Sequence, residues 1–380
     1  MGIIQEQHPD RCRLFMQWKE MDWPVLVDSL NLYGVSGVPI TYAIDEAGIV
    51  RAVNPKPDEL DAFLDAPPPA STTTPPSASR PDPGRLRPGP GADTPAAWRA
   101  YGDGLFLWGG ESRLGEAIAA YERSLRLSPD DGPTEFRLGV AFRRRHDSAA
   151  REPGDFQAAV LHWAEALDRD PNQYIWRRRI QQFGPRLDKP YPFYDWVDEA
   201  RTAIRARGGE PSPLVAEPSG SEIAAPADRF TAASGEASEP DPRGRVHRDV
   251  GPLVRVEVAV VPPSVGPGGV TRAHLLFRPD PAREAHWNNE AEPLRVWLDP
   301  PAGWSVDRRE GRAPQPAAAV STEPREIQLE LQAPPGLGGR AVAIPGYALY
   351  YVCQEADGVC LFRRQDFVLP VGVSEPRPAR

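Results

Sequence analysis

The sequence predicts a multidomain protein with an α/β part first, an all-α part in the middle and an all-β part last. The spacing of the apolar residues predicts this order, since it is mixed over 1–65, helical over 96–208 and alternating over 248–374. Two stretches separate the parts, 66–95 and 209–247, and many of the 46 prolines lie in them. Because they contain too few apolar residues to form a core, we interpret both as linkers.

Composition and simple motifs argue against several classes of function. The formal net charge is −9 without a long basic run, which argues against nucleic-acid binding. No apolar run is long enough to predict a membrane span. The N-terminus as written has no signal-peptide pattern and predicts a cytoplasmic protein. The histidines lack ligand spacing and no phosphate-binding loop occurs, so we predict neither a metal nor another cofactor.

The first 65 residues alternate between strand and helix signals. The apolar run Gly2–Ile4 predicts a buried strand, and a helix with proline at its start, expected to cover a sheet, follows His8. The remaining predicted elements are an extended segment at 23–28, a short helix from Leu30 to Val35, strands at 40–44 and 49–53 joined by a turn, and a helix at 57–64.

This order resembles the thioredoxin-like proteins of the TlpA and redoxin type. The resemblance rests on Trp23–Asp28, on Tyr33–Pro39 and on Ile44-Asp45 followed by Gly48–Val50. It implies that Pro39 is the cis-proline that faces the redox pair in this family. The alternative is an ordinary trans proline that opens a strand.

The chain departs from this family at its redox motif. The family's Cys-x-x-Cys is absent, and Cys12 lies in the first predicted helix, where a small half-buried residue is the simpler interpretation. The resemblance therefore implies a partial thioredoxin-like domain, incomplete at its N-terminus. We expect the missing strands and helices to precede Met1, which would leave an extracytoplasmic location open.

Residues 96–208 contain an internal helical repeat. Two sets share one order of small, aromatic, small and proline residues at equal spacing: Ala117, Tyr121, Ser124, Pro129 and Ala159, Trp163, Ala166, Pro171. The pattern, with a degenerate third unit, resembles tetratricopeptide repeats and implies a helical array that binds a protein partner. The triplets Arg143–Arg145 and Arg177–Arg179 would either line a groove for acidic peptide ends or form solvated faces.

From residue 248 the apolar residues alternate, as in Val254 to Val260, and about seven short strands predict an immunoglobulin-like sandwich. In the last predicted hairpin, the turn Glu355–Gly358 sets Cys353 opposite Cys360. Opposed positions of antiparallel strands have Cα atoms about 4.5–5.5 Å apart, which is close to the distance that a disulfide needs.

This hairpin and sandwich resemble the amino-terminal thiol-exchange domain of the electron-conducting protein DsbD. The resemblance implies that Cys353 and Cys360 pass electrons to a thiol or disulfide protein, and it relates His286-Trp287 to an aromatic feature of such domains. A structural disulfide or two unpaired thiols are the alternatives.

The sequence thus predicts a thiol-disulfide oxidoreductase of the redoxin family with protein-binding helical repeats. Its candidate catalytic residues are Cys353, Cys360 and Pro39. The alternative prediction is a non-catalytic interaction scaffold whose sandwich contains a structural disulfide.

Overall fold

The computed structural model describes residues 1–67, 81–186, 194–219, 222–223, 230–233, 237–336, 341–355 and 358–374. Parts of both predicted linkers and residues 356–357 of the predicted turn lie outside this described portion. The described residues form a mixed, multidomain α and β structure.

The helices are α1 Pro9–Lys19, α2 Pro57–Asp65, α3 Pro95–Trp108, α4 Leu114–Leu127, α5 Gly132–His146, α6 Asp155–Arg169, α7 Tyr174–Gln181 and α8 Val197–Ala206. The first strands are β1 Gly2–Ile4, β2 Val25–Val27, β3 Tyr42–Ile44 and β4 Val50–Val53. The later strands are β5 Val254–Val261, β6 Ser264–Val265, β7 Val270–Pro279, β8 Ala285–Asn288, β9 Arg295–Leu298, β10 Ser305–Val306, β11 Glu310–Arg312, β12 Val320–Ser321, β13 Arg325–Gln332, β14 Val342–Gln354 and β15 Cys360–Val373.

Contacts along the chain divide it into two compact units. The first unit comprises Met1–Gln7, Trp23–Arg144 and Glu165–Arg178. The second unit comprises His8–Asp22, Arg145–Ala164 and Arg179–Arg380.

The strands of the first unit form two separate pairs. β1 pairs in parallel with β2, and β3 pairs antiparallel with β4. Asp45 organises the turn between β3 and β4, where its Oδ1 accepts hydrogen bonds from the backbone N–H groups of Ala47 and Ile49. Large apolar side chains are exposed here, including Trp23 at 50 % and Val38 at 59 %.

The short helix predicted from Leu30 to Val35 is wrong, because this segment forms turns. The Asp28 carboxylate accepts hydrogen bonds from the backbone N–H groups of Leu32, at 2.8 Å, and Tyr33, at 3.2 Å. Asn31 adopts a left-handed backbone with φ 52°. Asp and Asn side chains compete in this way with helical hydrogen bonds, which the apolar spacing alone does not reveal.

Helices α3 and α4 pack closely in the first unit. The predicted repeat positions Ala117, Tyr121 and Ser124 are each 0 % exposed. A Cβ atom on Gly102 would lie 2.7 Å from the Tyr121 ring, so only glycine permits this approach. Ser124 Oγ donates a hydrogen bond of 2.8 Å to the Pro95 carbonyl. The small and aromatic residues thus occupy the contact between the two helices.

Helix α1 belongs to the second unit, where it packs against α8. Leu14 is fully buried in a cluster with Val197, Ala200 and Ile204. The Trp18 and Trp196 rings stack with centroids 5.7 Å apart. The apolar face of α1 is therefore as predicted, but it packs on a helix, where the sequence predicts a sheet.

The all-β part is a sandwich of two sheets. The smaller sheet has the strand order β10-β13-β7-β5, and the larger has the order β11-β9-β14-β15-β6, with β8 beside β14 and β12 beside β8. One apolar core joins their inner faces and includes Leu275, Leu329, Val296 and Leu369. The predicted inward residues of β5, from Val254 to Val260, line the same core.

The outer face of the smaller sheet contacts a helical segment of the second unit. The His274 ring lies 5.2 Å from the Phe156 ring, and its Nε2 lies 2.8 Å from the Phe183 carbonyl. The Val260 N–H donates a hydrogen bond of 2.9 Å to Gln157. Only part of this sheet face is therefore open.

Candidate functional site

A disulfide at the end of the β14–β15 hairpin forms the candidate site. The last register position of the two strands pairs Cys353 with Cys360. The two residues form a disulfide with Cα atoms 4.0 Å apart. Cys353 is only 2 % exposed, whereas Cys360 is exposed. A thiol arriving from solvent therefore meets the Cys360 end of the bond first.

His286 lies on the other side of Cys353. Strand β8 pairs antiparallel with β14, and His286 is the register partner of Cys353. Register partners lie on the same face of a sheet, so His286, Cys353 and Cys360 form one row across three strands. Ala285 and Trp287 belong to the apolar core, which places His286 between them on the outer face.

The His286 ring has one nitrogen directed at the backbone. Nδ1 lies 3.3 Å from the carbonyl oxygen of Glu284. Because a carbonyl oxygen only accepts hydrogen bonds, Nδ1 must carry a hydrogen there. In the neutral ring Nε2 is then the nitrogen with a lone pair, so it is the ring nitrogen that can accept a hydrogen bond.

The core beneath this row holds its strands in place. Trp287 is 1 % exposed, and its Nε1 donates a hydrogen bond of 2.8 Å to the Glu323 carbonyl. Its ring meets the Tyr350 ring edge-on at 6.0 Å. The Tyr350 hydroxyl lies 2.9 Å from Asp249 and 3.0 Å from Gln365. Burial raises the pKa of Tyr350 far above its ordinary value, so the hydroxyl stays a donor.

An aromatic pair lies beside the disulfide on the same outer face. Tyr351 and Phe362 are register partners, two positions along each strand from the cysteines. Their rings stack with centroids 4.5 Å apart. This pair gives the surface next to Cys360 an apolar character that suits protein contact.

The segment before β5 is fastened to the outer face of the larger sheet. Asp241 accepts a hydrogen bond of 2.9 Å from Arg364, whose guanidinium lies 3.7 Å above the Tyr347 ring. Burial raises the pKa of Tyr347 to about 12. For Asp241, burial acts to raise the pKa, but the hydrogen bonds from Arg364 and from nearby backbone outweigh it and lower the pKa.

The third candidate residue, Pro39, lies in the first unit, whereas Cys353 and Cys360 lie in the second. The Val38–Pro39 peptide bond is cis, as the family resemblance implies. Cys12 has intermediate exposure and lies on α1. The structure thus brings together the two hairpin cysteines and adds His286 to them.

The arginine triplets do not form a continuous basic surface. Arg145 is buried, and its guanidinium holds Asp155 through two nitrogens, with contacts of 2.6 and 3.0 Å. Arg179 is also buried, at 3 %. Arg144 lies on the surface, 3.4 Å from Glu111. The first triplet thus has two buried arginines and the half-buried Arg144, whereas the second runs from the exposed Arg177 to the buried Arg179.

Within the described residues, no three His, Cys, Asp or Glu side chains converge in a way that could hold a metal ion. None of the helices in the described ranges has the length and apolar character needed to cross a membrane.

The sequence reaches His286 only through the family resemblance, and it does not predict that His286 pairs with Cys353. That pairing depends on β8 joining β14 across many residues of chain. The sequence pattern around His286 shows that it points outward while Ala285 and Trp287 point inward. This pattern identifies Cys353 as its neighbour only when the register of β8 against β14 is known.

Comparison with known proteins gives no family assignment. No family model matches the chain, and no curated protein matches it. Similar solved structures include one described as AvmM, which catalyses macrocyclization in alchivemycin A biosynthesis, with 13 % identity, a TM-score of 0.18 and coverage of 34 % of this chain and 92 % of that one. Another is the Pseudomonas fluorescens alkylpurine DNA glycosylase AlkC bound to DNA, with 7 % identity, a TM-score of 0.17 and coverage of 74 % of this chain and 78 % of that one. Likenesses this weak carry no argument about fold or function.

Proposed function

We propose that this chain is a thiol-disulfide exchange protein of the redoxin type, in which Cys353 and Cys360 are the redox pair. The observation that carries the proposal is the asymmetry of their disulfide, since Cys360 is exposed and Cys353 is 2 % exposed beside His286. The proposal also assigns the three parts of the chain. They are a partial thioredoxin-like first part, tetratricopeptide-type helices that bind a protein partner, and an immunoglobulin-like sandwich similar to the amino-terminal domain of DsbD.

The reductant in this proposal is a protein dithiol. One partner thiolate attacks the Cys360 sulfur, a mixed disulfide forms there, and the bond between Cys353 and Cys360 breaks. The electron pair of that bond goes to the Cys353 sulfur, which takes a proton. The second partner thiol then attacks the mixed disulfide and releases Cys360 as a thiol. The partner becomes a disulfide, and this chain gains two electrons and two protons.

His286 supplies the proton for the leaving sulfur. The Cys353 thiolate would form in a nearly water-free position, where an isolated negative charge is costly. A protonated imidazole in the next register position stabilises that charge and can donate its proton. The apolar Tyr351–Phe362 pair offers the partner a contact surface beside Cys360.

The packing of the helical array supports the proposal that its helices bind a protein partner. Its repeat positions are buried, and Gly102 allows the close helix contact under Tyr121 that helical repeats need. The missing Cys-x-x-Cys means that this chain should have little thioredoxin-type activity of its own. Reduction of insulin at the rate of an intact thioredoxin would contradict that expectation.

The proposal is tested by incubating the full chain with a reduced thioredoxin as the probe dithiol. Alkylation followed by mass analysis of the Cys353 and Cys360 peptides should show rapid reduction of the pair. Persistence of the disulfide after hours with excess probe would contradict a redox role. Cys12→Ser is the matched control and should behave as the wild type.

The role of His286 has a separate readout in the reduction rate. His286→Gln should lower the rate of reduction by the probe dithiol about tenfold or more, because the leaving Cys353 sulfur loses its proton donor. A rate unchanged by the substitution would remove His286 from the mechanism, and His247→Gln serves as a control.

The alternative function is an interaction scaffold with a structural disulfide. The observation that favours it is the position of the bond across a directly paired hairpin, where it can simply fasten β14 to β15. In that case Cys353→Ser with Cys360→Ser would lower stability but leave partner binding unchanged. In the redox case the same double variant loses exchange with the probe dithiol.

A further inference from the structure

A second feature of the sandwich is a cleft along β5, the edge strand of the smaller sheet, lined by residues of both sheets. Beside β5 and the end of β7 there is an open cleft of about 790 Å³. Its walls include several prolines, with Pro252 and Pro324 among them, and small apolar side chains such as Ala282. Its volume falls within the range of clefts that bind small organic molecules, about 300–1,000 Å³.

Two arginines lie side by side in this cleft. Arg255 on β5 and Arg278 on β7 are register partners, and both line the cleft. Like charges directly opposite each other on paired strands are destabilising. Arg151 lines the same cleft and adds a third positive charge. The arrangement is thus unfavourable in itself, and an anion placed between the guanidinium groups would relieve it.

The two carboxylates near these arginines neutralise them only in part. Arg255 Nη2 lies 3.3 Å from Asp280, so this pair forms a normal contact. Arg278 Nε lies 3.7 Å from Glu257 Oε1, beyond hydrogen-bond distance. Among the described residues, the buried Arg278 Nε and Glu257 Oε2 have no hydrogen-bond partner. Arg278 Nε therefore keeps a hydrogen-bond donor that a ligand in the cleft can use.

Glu257 is itself a weak counter-charge. It is 14 % exposed, and burial raises its pKa, with Asp155 adding to the rise and the neighbouring arginines opposing it. His146 Nδ1 also faces it, at 3.7 Å. As the pH falls towards this raised value, Glu257 loses its negative charge and the cleft becomes more positive.

We propose that this cleft binds an organic carboxylate with an apolar body. The carboxylate lies between Arg255 and Arg278, with Arg151 contributing to the positive field, and the apolar body packs on the proline-rich walls. A carboxylate accepts charge-assisted hydrogen bonds from guanidinium groups, which is the contact that Arg278 Nε lacks. This site is independent of the disulfide and of the function proposed for it.

The test uses 4-phenylbutyrate and its uncharged amide as probes, with binding to the full chain measured by calorimetry. The carboxylate should bind, and the amide should bind about tenfold more weakly or worse, since the difference is a charged hydrogen bond. Affinity for the carboxylate should rise as the pH falls towards the raised pKa of Glu257, because this group then loses its negative charge. Equal binding of the two probes, or binding of neither, would overturn the proposal.

The variants locate the site. Arg278→Gln should weaken carboxylate binding about tenfold, while Arg312→Gln, on an exposed arginine of the other sheet, should leave it unchanged. Removing one member of a like-charge pair should not lower the melting temperature, so loss of binding in Arg278→Gln can be separated from unfolding. Arg255→Gln provides a second variant with the same expected loss. Unchanged affinity in both variants would overturn the assignment.

Discussion

Removal of the Cys353–Cys360 disulfide should destabilise the sandwich by a predictable amount. The two cysteines are seven positions apart, so the bond closes a loop of about eight residues. The chain-entropy relation then gives a loss of about 2.5 kcal/mol at 25 °C when the bond is absent. This value is nearly the same for a redox disulfide and a structural one, so it tests the structure without presuming the function.

Hydrogen exchange is the suitable assay, because a chain of several parts does not unfold in one step. A loss of about 2.5 kcal/mol corresponds to about 60-fold faster exchange for the β14 and β15 amides that open only when the sandwich unfolds. The variant is Cys353→Ser with Cys360→Ser, and Cys12→Ser is the control. A change below about threefold in these amides would refute the reasoning, as would equal changes in the amides of α3 and α4.

Three other predictions concern packing, a buried ion pair and pH. Gly102→Ala should destabilise the first unit by about 1–3 kcal/mol, because the new Cβ would lie 2.7 Å from the Tyr121 ring, and hydrogen exchange of the α3 and α4 amides measures the loss. Asp155→Asn should cost about 3 kcal/mol, measured by hydrogen exchange of the α6 amides, because it removes the buried carboxylate that faces the Arg145 guanidinium and leaves that charge facing the largely exposed Glu152. The folded-state pKa of Asp241 lies below 3.8. The ionised Asp241 therefore stabilises the folded state above pH 3.8, and this stabilisation is lost as the pH falls further. Hydrogen exchange of the 241–249 amides measures the loss.

Each of these predictions has a contrasting outcome. Gly89→Ala adds a Cβ with nothing within 4 Å and should be nearly neutral, so an equal effect at both glycines would contradict the packing argument. Glu111→Gln, at an exposed pair of 3.4 Å, should cost less than about 1 kcal/mol. Protection of the 241–249 amides, corrected for the intrinsic pH dependence of exchange, that does not fall as the pH drops below 3.8 would contradict the role given to Asp241.

Local patterns in the sequence predict much of the secondary structure. The alternation of Val254 to Val260 predicts a strand with one face in the core, and the repeated spacing around Tyr121 predicts a helix with those residues buried. The short turn before Cys360 predicts that this residue faces Cys353, and the two are register partners in the structure. In each case the information lies within a few residues along the chain.

Long-range pairings are what the sequence leaves open. His286 meets Cys353 only because β8 joins β14, and Arg255 meets Arg278 only through the register of β5 against β7. Shifting either register by one residue would move these side chains to the other face of the sheet. The apolar stripe of α1 likewise shows that Leu14 is buried, but it does not show that the partner is a helix.

The most direct test of the proposed redox pair compares its two single-cysteine variants. Each full-length variant is incubated with a thioredoxin that retains only its attacking cysteine and carries an activated disulfide there. Cys353→Ser, which keeps the exposed Cys360, should form a mixed disulfide readily, while Cys360→Ser, which keeps the buried Cys353, should react far more slowly. Equal rates for the two variants, or no mixed disulfide with either, would contradict the proposed exchange at Cys360.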